Sequence, residues 1–147
     1  MGKKILIVDD EMVMRSLIAI AMQRSGYSVM DADNSFQALD CLDSTTPDLI
    51  ILDIMMPGMN GIDLCRRIRS RPGTTNTPII VFSALGDDKT INTALDAGAD
   101  EYLHKLSLFG ELVAMVNHRL SEPAAGHSYH HQSRRHIPAS AVGKPAV

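Results

Sequence analysis

Short apolar runs rich in β-branched residues recur along this chain, each followed by a longer stretch with helical spacing. Lys4–Val8, Ser28–Ala32, Leu49–Asp53, Ile79–Ser83 and Glu101–Leu103 read as strands. Three of them carry ILIV, LIIL and IIVF, with no polar residue inside the run. A strand with one face in water alternates in polarity. One that does not alternate is covered on both faces, the condition of a parallel sheet. Met12–Ser25, Ser35–Leu42, Gly61–Ser70, Asp87–Ala97 and Leu108–Leu120 read as the intervening helices; in the last, Phe109, Leu112, Val113, Val116 and Leu120 share one face. Gly26 and Gly98 stop the first and fourth helices, and Pro47, Pro72 and Pro78 mark loops. Five β-α units in succession predict a parallel α/β sheet with helices on both faces, because a parallel crossover is right-handed and needs a helix. Sites in such sheets lie at the carboxyl ends of the strands, near the topological switch point.

Composition narrows the class. A length of 147 residues suits one domain plus a tail and is enough to fold without disulfides or metals. A net charge of −3 argues against general attraction to nucleic acid or membranes and fits a cytoplasmic protein. Cys41 and Cys65 lie far apart in helical patterns, as reduced core thiols do. The opening MGKKILIVDDE starts like a signal peptide, but its apolar run stops at acids after four residues. Leu6 stands where a myristoylation signal needs Ser or Thr. After Leu120 the periodicity ends. The first 121 residues hold 11 basic and 16 acidic side chains, a net of −5, while the remainder holds three basic and one acidic, a net of +2. Residues 122–147 are therefore expected to form a loosely attached or disordered tail beyond a domain spanning 1–121. The spacing of His127, His130, His131 and His136 defines no rigid metal-binding face, and Arg134 with Arg135 does not make a nucleic-acid patch.

The chemistry sits at the strand ends. The first strand runs into Asp9, Asp10 and Glu11; the third ends at Asp53; the fourth ends at Ser83; Lys105 lies just past the fifth. If those strands are neighbours, all these groups meet on one rim. Carboxylates so grouped repel one another unless a cation intervenes, and Mg²⁺ suits one or two carboxylates plus waters. An ammonium and a hydroxyl beside such an ion would cradle a phosphoryl group while a carboxylate attacks in line. In ILDIMMPGMNG the acid that closes the apolar run, Asp53, is then the nucleophile, with Pro57–Gly58 and Gly61 shaping the loop beside it.

ILIVDDE, ILDIMMPGMNG, VFSA and EYLHK, in this order and spacing, resemble the receiver domain of two-component response regulators over roughly residues 3–120. The resemblance implies a flavodoxin-like (βα)5 three-layer sandwich with strand order 2-1-3-4-5. It implies Asp53 as phospho-acceptor and Mg²⁺ held by Asp10 directly, by Asp9 through water, by Asp53 and by the Met55 backbone carbonyl. Ser83 and Lys105 would contact phosphoryl oxygens, and Tyr102 would be the aromatic switch residue that turns inward as Ser83 moves. The implied partners are a sensor histidine kinase or phosphotransfer protein and an effector reached through the face of the fourth helix, fifth strand and fifth helix. No direct nucleic-acid contact or membrane insertion is expected, and the protein would be a stand-alone switch rather than an enzyme, catalysing only its own phosphorylation and dephosphorylation.

One departure stands out. The family usually has proline after the lysine, with a cis bond before it; here Leu106 follows, and a cis bond to a non-proline residue costs about 3–4 kcal/mol, so a trans or strained peptide is expected. That departure keeps alive a phosphorylation-independent interaction module on the same fold. A phosphatase resembling the haloacid dehalogenases needs an acid where Met55 stands, and acids after the first strand would repel a flavin phosphate. The plain rivals are that Asp9 and Asp10 only cap the first helix, that Tyr102 is a half-buried strand residue, and that Met55, Met56 and Met59 pack their own loop.

Overall fold

The computed structural model describes residues 2–121. The strands are β1 (Lys4–Val8), β2 (Ser28–Ala32), β3 (Leu49–Leu52), β4 (Ile79–Ser83) and β5 (Glu101–His104). The helices are α1 (Met12–Arg24), α2 (Ser35–Ser44), α3 (Gly61–Ser70), α4 (Asp88–Asp96) and α5 (Phe109–Ser121). All strand pairs are parallel, in the order β2-β1-β3-β4-β5. This is the flavodoxin-like arrangement, with its switch of direction between β1 and β3. One short element had no sequence signal beyond a loop proline: a 3-10 turn at Pro72–Thr74.

The unbroken apolar strands divide their side chains between two cores, as a period of two requires. Leu6, Val8, Ile50, Leu52, Ile79 and Val81 face α2, α3 and α4 through Ala38, Leu42, Leu64, Ile68, Ile91 and Leu95. Ile5, Ile7, Leu49, Ile51, Ile80 and Phe82 face α1 and α5 through Ile18, Met22, Leu112, Met115 and Val116. Each fully buried aliphatic side chain contributes about 1.5–3 kcal/mol, so the two-sided burial of β1, β3 and β4 is what holds the sheet rigid. Cys65 lies in the first core and Cys41 at its edge, both as free thiols; burial pushes the Cys65 thiol up to about 12.

Polar anchors fix the amino ends of the strands, away from the acidic rim. Arg69 bonds the Gly98, Thr74 and Thr77 carbonyls and the Asp100 carboxylate at 2.8 Å, and Asp100 also accepts from the Ile79 N–H. Arg119 of α5 reaches the buried Glu101 of β5 at 2.8 Å. The helix starts carry side-chain caps from Asn34, Asn60 and Asp87, which places α4 one residue later than its spacing suggests. No helix among the described residues is long and apolar enough to cross a membrane. The four tail histidines, Arg134 and Arg135 lie outside the described residues.

Gly61 ties the third helix to the rim. It begins α3 directly against the end of β3, its N–H bonded to the Ile54 carbonyl at 3.1 Å. A Cβ there would meet the Asp53 carbonyl oxygen at 2.4 Å and the Ile54 Cα at 2.5 Å, both backbone atoms. Gly61→Ala is therefore expected to destabilise the fold by about 2–3 kcal/mol, read as a lowered urea midpoint at unchanged slope.

Candidate functional site

Strand register assembles the rim. Val8 pairs with Leu52, so the next residues, Asp9 and Asp53, emerge side by side, and the Asp53 N–H still bonds the Val8 carbonyl at 3.0 Å. Asp53 thus sits one residue past the strand rather than within it. Ser83 pairs with His104, so Lys105 leaves the adjacent edge with its N–H on the Ser83 carbonyl at 2.8 Å. The carboxylate oxygens of Asp9, Asp10 and Asp53 lie within 4.8 Å of one another. Asp9 and Asp53 are buried and Asp10 is exposed, so the cluster opens to solvent on one side. Such a set of hard oxygen donors, close together and partly accessible, fits a small divalent cation that retains some of its waters.

The Lys105 ammonium lies among these acids. Its Nζ is 2.8 Å from Asp53 Oδ2, 2.9 Å from Asp9 Oδ2 and 3.0 Å from Glu11 Oε1, and only 9 % of the side chain is exposed. Burial would lower the ammonium's pKa, but the hydrogen bonds to Asp53, Asp9 and Glu11 outweigh it and hold the pKa above the ordinary lysine range. Asp9 moves upward: burial raises its pKa, more than the Glu11 N–H and Lys105 lower it. The remaining oxygen of Asp53 accepts from the Met55 N–H at 3.0 Å, which holds the carboxylate in one orientation.

Ser83 and Tyr102 form a second pair beside the acids. Ser83 is fully buried, and its Oγ accepts from the Leu85 N–H at 3.3 Å. Tyr102 is fully buried rather than half-buried, its ring inward and its hydroxyl donating to the Leu85 carbonyl at 2.6 Å. Burial pushes that phenol up to about 12, against a smaller opposing hydrogen bond with Ser83.

Neither Asp9 nor Asp10 is the N-cap of α1: that position is Glu11, which makes no side-chain cap bond, while Asp9 Oδ1 accepts from Glu11's own N–H at 2.9 Å. Lys105 reaches its partners although Leu106 follows it. No peptide among the described residues is cis, and the turn is closed locally by the Ser107 N–H on the His104 carbonyl and the Leu106 N–H on His104 Nδ1. Sequence reasoning did not find Glu11 as a partner of Lys105. The acidic run DDE was the only available signal, and nothing in it says which acid points where.

Residues 5–117 match the family profile of the response regulator receiver domain. The chain belongs to that family. It is 41% identical over 127 residues to the phosphate regulon transcriptional regulatory protein PhoB of Pseudomonas aeruginosa, covering 86% of this chain and 56% of that protein. It is 38% identical to the DNA-binding response regulator MtrA of Mycobacterium tuberculosis, covering 84% and 55%. The chain therefore spans about half the length of these curated relatives. A crystal structure of a response regulator from Chloroflexus aurantiacus superposes with a TM-score of 0.79 at 33% identity, covering 83% of this chain and all of that one. Receiver domains of this family act as phospho-acceptor signalling switches, and the strand order and the structural match agree with the expected fold class.

The ion cluster gives the receiver a defined pH response. Lys105 has its pKa raised on folding, so its stabilising contribution is complete below the unfolded value and is lost only as pH rises through the still higher folded one. Asp9, raised from 3.8, takes up its proton earlier in the folded state than in the unfolded one, so its contribution favours folding as pH falls through the raised value. Lys105→Met leaves the buried acids without their cation and is expected to lower stability by about 3 kcal/mol at pH 7. Urea unfolding at pH 7 and at lower pH should show the gap to wild type narrowing as the carboxylates protonate.

Proposed function

We propose that this receiver takes a phosphoryl group from a phosphohistidine onto Asp53, in a Mg²⁺-dependent reaction, and thereby switches its affinity for a partner. The observation that carries this reading is the buried Asp53 carboxylate, oriented by Met55 and Lys105 and grouped with Asp9 and Asp10 at the open end of the sheet. An Asp53 oxygen attacks phosphorus; the phosphorus–nitrogen bond breaks, its electron pair returns to the imidazole, and an acyl phosphate forms on Asp53. Lys105 follows the charge onto a phosphoryl oxygen, and the Ser83 hydroxyl donates to another. Asp10, Asp53 and the Met55 carbonyl would hold Mg²⁺, with Asp9 acting through water. When bound, the ion neutralises the crowded carboxylates and the transferring oxygens. Water attack on the same phosphorus reverses the switch.

Exposed apolar side chains next to the acids support a protein donor, a sensor histidine kinase or phosphotransfer protein. Met12 and Val13, each 69% exposed, follow Glu11, and Leu106 at 87% and Leu108 at 76% follow Lys105. Large apolar groups left in water around a polar site suit a docking surface. The output surface in this reading is the face of α4, β5 and α5. Tyr102 and the Leu85 carbonyl join the acidic rim to that face, so a shift of Ser83 toward phosphoryl oxygen alters the packing under α4. In this reading residues 1–121 form the receiver, which acts in the cytoplasm with its donor and itself makes no nucleic-acid contact.

Incubation with Mg²⁺ and acetyl phosphate should add one phosphoryl group by intact mass. Asp53→Asn and chelation of the metal should each abolish the gain. No gain in the wild type, with Mg²⁺ bound, would leave an interaction module that works without phosphorylation.

A further inference from the structure

We infer that Glu11 is a positioning residue for Lys105, holding the ammonium at the rim and thereby setting how readily it engages the phosphoryl group. The inference rests on the phospho-acceptor reading of Asp53. Three hydrogens on the Lys105 nitrogen meet three carboxylates at nearly equal distances of 2.8, 2.9 and 3.0 Å. Two of those acids, Asp9 and Asp53, belong to the cluster able to hold a cation; Glu11 does not. The chemistry therefore treats the three contacts differently. A bound cation draws on Asp9 and Asp53, and phosphorylation converts the Asp53 carboxylate into an acyl phosphate, whose acyl oxygens are far weaker acceptors than those of a carboxylate. Neither event touches Glu11.

Glu11 stands with its side chain 65% exposed at the N-cap of α1, where its carboxylate caps nothing. Its hydrogen bond to Lys105 spans 94 residues of sequence and joins the start of α1 to the turn after β5. One consequence follows. As the metal engages Asp9 and Asp53, Glu11 keeps the ammonium beside the site instead of releasing it to solvent, so that it is at hand when phosphoryl charge develops. An exposed ion pair of this kind corresponds to roughly a two- to fivefold effect on a rate.

The test uses the full chain, wild type, Glu11→Gln and Glu11→Asp, with the lysine side chains labelled with nitrogen-15. Aspartate keeps the charge but is one methylene shorter. The Lys105 ammonium resonance, assigned by its loss in Lys105→Met, is followed without and with Mg²⁺, and the rate of phosphorylation by acetyl phosphate is measured at saturating Mg²⁺. Wild type should keep a protected Lys105 signal when Mg²⁺ is added. The variants that lose that signal, whose ammonium is no longer held beside the site, should be phosphorylated roughly two- to fivefold more slowly. A rate that follows the charge at position 11 irrespective of the Lys105 signal overturns the inference, since Glu11 would then act only by repelling the anionic donor. A Lys105 signal unchanged by both substitutions overturns it as well. Failure of wild type to take up phosphoryl at all would instead count against the Asp53 reading, while the Mg²⁺ titration of the resonance still decides whether Glu11 holds Lys105.

Discussion

The ammonium of Lys105 is the interaction on which the functional end of this molecule depends. Asp9 and Asp53 are brought out of water side by side by the β1–β3 register, and each is nearly fully buried. Two buried carboxylates without a counter-charge would be expelled or protonated. A single cationic group reaching across from the end of β5 makes their burial tolerable, and it does so with hydrogen bonds to both. The same group links the two edges of the rim, so the geometry of the acids and the course of the β5–α5 turn are coupled.

That coupling works only because the sheet does not yield. Residues on alternate sides of β1, β3 and β4 fill two separate cores, and helices close both faces. The strand ends are thus fixed points. Variation is left to the loops, where Met55, Leu85, Leu106 and Leu108 stand exposed around the acids. Beside the acids, Ser83, Leu85 and Tyr102 form one hydrogen-bonded set that joins the end of β4 to β5.

Much of this was legible in the residues, and the misses have physical reasons. The strand runs were plain because two-sided burial leaves no room for polar residues. The convergence of Asp9, Asp10, Asp53, Ser83 and Lys105 could be anticipated because strand ends of a parallel sheet share one edge, although their order came from family resemblance. Half-burial was the plain rival for Tyr102, since a tyrosine in a strand carries no mark of its depth; the Leu85 carbonyl that satisfies its hydroxyl permits complete burial. Glu11 belongs to an acidic run at a helix start, and nothing local marks it as the partner of Lys105. The Arg119–Glu101 and Arg69–Asp100 pairs leave no trace in the sequence, being contacts between residues whose local patterns give no hint of one another.

By itself the sequence determined the alternation of strand and helix, the parallel sheet, and the placing of three acids, a hydroxyl and a lysine at strand ends, because periodicity and chain order are local properties that any window of residues displays. Tertiary structure decided which acids the lysine meets, that Asp9 is buried while Asp10 faces solvent, and that Tyr102 is wholly inside. Those outcomes depend on side-chain reach and register across elements separated by dozens of residues, where differences of an ångström determine whether two charges form a pair.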